Sequence, residues 1–121
     1  MNCCRNDVVL LPIPFSDLSS TKVRPAIVIG HGSTGGDLFL VPITSRLKNG
    51  DFPLSGWQSC GLNVPSAVKG QLATVESQLV RKIVGRLSSE DAATLDGKLK
   101  EWLDLQSDRR GETDRQELLE A

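Results

Sequence analysis

Arg24 and Thr44 stand twenty positions apart, each at the end of a β-rich run, and their side chains have complementary chemistry. The runs Pro25 to Gly30 and Leu38 to Ile43 flank the turn His31-Gly32-Ser33-Thr34-Gly35-Gly36. A hairpin centred near Thr34 sets Gly30 opposite Leu38, Val28 opposite Leu40, Ala26 opposite Pro42 and Arg24 opposite Thr44. Directly opposed residues have Cβ atoms roughly 4.5–5.5 Å apart, so a guanidinium and a hydroxyl meet at the hairpin's open end. A bulge in the long turn would break that register. An arginine fork matches phosphate oxygens and stays charged at any working pH, and a threonine hydroxyl can donate to the same group. Pro25 confines the backbone of Arg24 to the extended region, which pre-aims its side chain. The same residue types at strand ends serve as surface charge and turn chemistry, so the pairing is a hypothesis about a site.

Other reactive side chains fall elsewhere. His31 is the single histidine, but it sits at the far turn of the hairpin and reads as a solvated turn residue. Cys3, Cys4 and Cys60 have no metal-ligand spacing and read as free thiols in a reducing compartment. The glycines around His31 lack a P-loop lysine and precede no helix, so they read as a turn. No metal and no cofactor is expected. Lys22, Arg46, Lys48 and Lys69 can track a phosphate backbone or form a solvated face, and Phe15 can border an RNA groove or pack in the fold. Trp57, in a glycine-flanked loop, can stack a base, fill an interface or be partly buried.

These residues need a scaffold, and the pattern supplies one. Asp7 to Ile13, Pro25 to Gly30, Leu38 to Ile43, Gln71 to Val75 and Leu79 to Leu87 are β-like, with a Gly/Pro-punctuated stretch from Asn49 to Pro65. Ala26 and Val28 share one strand face and Ile27 and Ile29 the other; neither face is polar, so the hairpin is covered on both sides. Ser88-Ser89-Glu90-Asp91 reads as a helix N-cap with acids in the first turn. Ala92, Leu95, Leu99, Trp102 and Leu103 then form an apolar stripe, with Trp102 read as core. The expected architecture is mainly β with a C-terminal helix, the strands closing into a small barrel or curled sheet. Residues 1–105 form one domain, and 106–121 form a charged C-terminal tail expected to be flexible.

Composition bounds the function classes. At 121 residues the chain is one domain, and 39% hydrophobic with 24% charged residues is a globular balance. No apolar run reaches the length of a membrane helix, and the N-terminus lacks a basic region followed by an apolar segment, so a cytoplasmic protein is expected. The formal net charge of −1 is unevenly spread. Residues 1–87 carry nine basic and five acidic groups, a surplus of +4, whereas 88–105 sum to −3 and 106–121 to −2. A basic first part permits a nucleic-acid partner without demanding one.

The segments Asp7-Val8-Val9-Leu10-Leu11-Pro12-Ile13-Pro14-Phe15-Ser16-Asp17-Leu18, Arg24-Pro25-Ala26-Ile27-Val28 and Pro42-Ile43-Thr44-Ser45 resemble the PemK/MazF toxin family. Pro65-Ser66-Ala67-Val68-Lys69, Leu72-Ala73-Thr74-Val75-Glu76 and Arg81 to Ser88 follow in the order of its small PemK-like branch. The resemblance covers about residues 6–105. It implies an SH3-like small β-barrel, a homodimer, and an endoribonuclease toxin (an mRNA interferase) of a type II toxin–antitoxin system, held inactive by a cognate antitoxin. Cleavage of single-stranded RNA would need no metal. Arg24 and Thr44 fall on the family's strand-leading arginine and strand-ending hydroxyl, the catalytic pair; Lys69 falls on its later basic residue. Phe15, Lys22, Ser45, Arg46, Lys48 and Lys69 are the expected RNA-binding residues. Where relatives carry Gly-Ser-Glu-Gln before the arginine, this chain has Ser19-Ser20-Thr21-Lys22, and Ala73-Thr74 replaces an Arg-Thr pair. No residue presents itself as the general base. Two alternatives remain: a non-catalytic toxin of the same fold acting on DNA gyrase, and a silent SH3-like binding module.

Overall fold

β1 (Asp7–Pro12) is the strand around which the rest is organised, and its composition shows why. Val8, Val9 and Leu11 are completely buried, so successive side chains on opposite faces are both covered. β1 pairs antiparallel with β2 (Val23–His31) on one side and with β7 (Lys82–Arg86) on the other. β3 (Asp37–Thr44) continues the sheet beyond β2, followed by the two-residue strands β5 (Ala67–Val68) and β4 (Phe52–Pro53). β6 (Ala73–Glu76) pairs with the first half of β3. A computed structural model describes residues 2–12, 22–33 and 35–105 of the chain; Phe15 and the 106–121 segment lie outside the described residues.

Alternation divides the core in two. Val8, Ile27, Val41 and Ile43 project to one face, where they meet Phe52, Leu54, Cys60, and Leu95 and Leu99 of the helix α1 (Ser89–Trp102). Val9, Leu11, Ala26, Val28, Leu38 and Leu40 project to the other, closed by Cys3, Val80, Val75 and Ile83. The two-sided covering expected of the hairpin is therefore present, with Ile29 packed against the first cluster. α1 begins as its sequence predicts: the Ser88 hydroxyl accepts the Asp91 N–H at 3.1 Å. The apolar stripe stops one residue earlier than expected, because Leu103 is the C-cap and is 43% exposed. Trp102 is partly buried, its ring centroid 6.5 Å from that of Phe52. No helix among the described residues is long and apolar enough to cross a membrane.

The closed SH3-like barrel expected from the sequence is not formed by the ladders. The sheet runs β4-β5-β3-β2-β1-β7, and among the described residues none joins β7 to β4 or β6. The run Leu79 to Leu87, expected as one strand, is interrupted at its start. A 3-10 turn, Ser77–Leu79, and the buried Val80 separate β6 from β7, so side chains of the second cluster fill that gap instead of hydrogen bonds. The sheet is a curled, open one with a C-terminal helix on one face.

The hairpin register agrees with expectation over Ala26↔Pro42, Ile27↔Val41 and Val28↔Leu40. A bulge at Ile29 then shifts it, so that Gly30 faces Phe39 and His31 faces Leu38. At the other end the ladder stops at Ala26↔Pro42, so Arg24 and Thr44 are not a ladder pair; Pro42 has no N–H with which to extend it. Arg24 is instead opposite Leu11 of β1, and Thr44 opposite Ala67 of β5.

Candidate active site

The strand ends splay where proline removes their donors, and the opening is a cleft of about 780 Å³. Arg24 and Pro25 enter it from β2, Thr44, Ser45 and Arg46 from the end of β3, and Lys69 from just after β5. Lys82 and Val84 of β7 and the segment Gly61 to Val64 form the opposite wall. Four cations, Arg24, Arg46, Lys69 and Lys82, face this space, and no carboxylate among the described residues lines it. The cleft thus brings together Arg24, Thr44, Ser45, Arg46 and Lys69 of the residues singled out in the sequence. Lys22 and Lys48 are exposed but outside its walls, and Phe15 is outside the described residues.

Thr44 has a defined orientation. Its Oγ1 accepts the Arg46 N–H at 3.0 Å, a local turn bond that fixes the hydroxyl and leaves its proton to donate. A phosphate in the cleft therefore meets a forked cation and an oriented donor from neighbouring strands. That is an arrangement suited to stabilising charge on a phosphoryl group.

The wall opposite is a loop, and two devices hold it. The buried carboxylate of Asp91 accepts the N–H and O–H of Ser55, each at 2.9 Å, and the N–H of Gly56 at 2.9 Å. Burial alone would push the Asp91 carboxyl up, but the Gly56 and Ser55 bonds, joined by the Ser88 hydroxyl, outweigh it and hold it below its ordinary value. Second, Gly61 has φ +87°, and a Cβ there would run into the Val84 carbonyl. Gly85 is as tightly set against the Cys60 carbonyl, so the loop and β7 touch backbone to backbone. Val84 is the extra residue of a bulge in the β1–β7 ladder, which turns it toward the cleft.

Several readings change once these contacts are seen. His31 is exposed but not merely solvated: its Nε2 donates to the Cys3 carbonyl at 2.7 Å and ties down the N-terminal segment. Cys60 is completely buried, and burial, then Asp91, pushes its thiol pKa up; burial likewise raises Cys3. Trp57, which the sequence left between base stacking, an interface and partial burial, is half-buried and packs against the first cluster. Lys82 and the Gly61–Ser66 wall were not anticipated. Only the β1–β7 pairing, which joins opposite ends of the domain, places Lys82 beside Leu10.

Comparison with known proteins gives the same architecture. No curated protein sequence matches the chain. The solved structure of the Mycobacterium tuberculosis toxin MazF-mt6 is similar, with a TM-score of 0.66 at 17% identity over 84% of this chain and 99% of that one. At that identity the likeness speaks for the fold. The family model for the PemK-like, MazF-like toxin of type II toxin–antitoxin systems matches residues 4–103, nearly all of the described domain, and the chain belongs to that family.

Proposed function

We propose that the protein is a metal-independent endoribonuclease toxin that cleaves single-stranded mRNA, with Arg24 and Thr44 as its catalytic residues. The observation that carries this reading is the cleft in which both residues sit at adjacent strand ends, lined by four cations and by no carboxylate among the described residues. In RNA the 2′-oxygen can attack the neighbouring phosphorus. The 2′-O–P bond forms, the P–O5′ bond breaks, and the products are a 2′,3′-cyclic phosphate and a 5′-hydroxyl. The 2′-hydroxyl loses one proton and the departing 5′-oxygen gains one. Arg24 holds the non-bridging oxygens as charge builds on them, and Thr44 donates to the same phosphate. No lining side chain among the described residues is a carboxylate or an imidazole. The cleft's contribution is therefore electrostatic and positional, and the protons exchange with water. Ser45, Arg46 and Lys69 hold the flanking backbone.

Membership of a toxin–antitoxin family implies an antitoxin partner, and an acid-rich segment of such a partner suits a cleft lined by four cations. We place the protein in the cytoplasm, where mRNA is found, and read it as a homodimer. Val23 and Val64 line the cleft and are each 48% exposed, and Leu47, next in sequence to the cleft residue Arg46, is 51% exposed. These are the groups a second protomer would cover.

The test is incubation of the purified protein with single-stranded RNA in excess chelator. Cyclic-phosphate and 5′-hydroxyl ends are expected, and a folded Arg24→Ala variant should produce them ~10²–10³ times more slowly. RNA left intact by the wild type, together with inhibition of DNA gyrase, would favour the non-catalytic toxin. Neither activity would favour a binding module.

A further inference from the structure

The strand ends that face the cleft all lie at one end of the sheet. Thr44 closes β3, Arg24 lies near the start of β2, Leu10 lies near the end of β1 and Lys82 opens β7. The order β3-β2-β1-β7 sets them side by side. Leu10 is opposite Pro25 on one side and Lys82 on the other, and all three line the cleft. Two strand spacings of about 4.7–4.9 Å put the backbone of Lys82 about 9–10 Å from that of Pro25. Arg24, Arg46 and Lys69 thus gather on the β2–β3–β5 side, and Lys82 stands apart beyond the apolar strip of Leu10 and Pro25.

β7 carries a second cation that makes the contrast. Arg86 is paired with the buried Asp7, Nη1 to Oδ1 at 3.2 Å. Among the described residues Lys82 has no carboxylate partner, and the ion pairs present are Arg86–Asp7, Arg5–Asp96 and Lys98–Glu101. An ammonium with no carboxylate partner among the described residues, lining the same cleft as Arg24 and Thr44 across the Leu10–Pro25 strip, fits an anion of the same chain.

We propose that Lys82 forms a second phosphate subsite. It holds a phosphodiester flanking the scissile one, so that single-stranded RNA crosses the strand ends from β3 toward β7, with a nucleoside over Leu10 and Pro25. The proposal rests on the ribonuclease reading. A lysine is a compact point charge without a fixed fork, so Lys82 contributes to affinity and strand direction, and chemistry stays with Arg24 and Thr44.

The test compares wild type, Lys82→Gln and Lys82→Arg, each checked for an unchanged urea midpoint, since Lys82 is exposed. Affinity for a short 2′-O-methyl single-stranded RNA, which cannot be cleaved, is measured across salt concentrations. Loss of one phosphate contact should reduce the log–log salt slope by about 0.7 in Lys82→Gln, with Lys82→Arg keeping the wild-type slope. On cleavable RNA, Lys82→Gln should raise KM at unchanged kcat, and the defect should vanish on a dinucleotide that has a single phosphodiester. A wild-type slope in Lys82→Gln, or an equal defect on the dinucleotide, overturns the subsite while leaving the ribonuclease reading intact. Wild-type protein with no affinity for RNA overturns both.

Discussion

Asp91→Asn exchanges one oxygen for an amide nitrogen, yet the structure makes it a costly change. The carboxylate takes Ser55 N–H and O–H on Oδ1 and Gly56 N–H on Oδ2. Asparagine retains one acceptor oxygen, and its NH2 must face a backbone donor whichever way it turns. The variant loses one bond to a charged acceptor, about 1.5–3 kcal/mol, and strands a donor at about 1–3 kcal/mol. Ser55 is exposed and Gly56 half-buried, so water can enter and the low end of both ranges applies. The expected loss is therefore about 2–3 kcal/mol, a large share of the ~5–15 kcal/mol that holds a domain together. Urea denaturation at pH 7, followed by the fluorescence of Trp57 and Trp102, measures it. The pH dependence gives a second check. Because the folded-state pKa is depressed, the ionised carboxylate's contribution is complete above the unfolded value of about 3.9 and is lost as pH falls through the folded one. The gap between wild type and variant should thus be constant from neutral pH to about pH 4 and narrow only below it. A gap under about 0.5 kcal/mol at pH 7 would refute the latch. A gap that persists undiminished at lower pH would refute the role of its charge.

Thr44→Val should slow cleavage by less than Arg24→Ala, whose loss of a charge-stabilising donor is expected to cost ~10²–10³ in kcat. Single-turnover rates on one RNA decide the order, and equal wild-type rates would remove both residues from the chemistry. Gly61→Ala meets both a left-handed φ and the Val84 carbonyl, so a loss of about 2–4 kcal/mol in urea is expected, against no change if the loop does not touch β7. Sedimentation at micromolar concentration should show a dimer, and Val64→Asp should shift it toward monomer; a wild-type monomer would refute the shared surface.

What the sequence discloses and what it hides follow from contact range. The Ser88 cap and the Leu95–Leu99 face are local, and they are legible because capping and the helical period act over a few residues. The Val28↔Leu40 register follows from alternation within one hairpin, but the bulge at Ile29 does not, since either strand can absorb an extra residue in so long a turn. The Arg24–Thr44 neighbourhood is legible as a shared strand end, while its splaying depends on Pro42 ending the ladder and on β5 capturing Thr44. Lys82 is hidden because its place follows from a pairing between the first and last strands. Asp91 is hidden for a different reason. First-turn acids usually answer the helix dipole in solvent, and nothing in Ser89-Glu90-Asp91 says that one of them turns inward to a loop 35 residues away.

A net charge of −1 is a poor guide to what this chain attracts, because charges are not equally available. Asp7 is buried against Arg86, Asp96 meets Arg5, Glu101 meets Lys98, and Asp51 is bonded to the Gly70 N–H. Asp91 is enclosed by donors from the loop it anchors. These carboxylates have their fields largely answered close by. The four cleft cations have no such answer among the described residues, and they share one concave space whose low-dielectric walls concentrate the field. Four of the nine cations of residues 1–87 thus share the cleft, while Asp96 and Glu101 of residues 88–105 are held in ion pairs and Asp91 is buried. For a polyanion approaching the strand ends, the local sign decides association, and the opposite sign of the whole chain matters little beyond a Debye length.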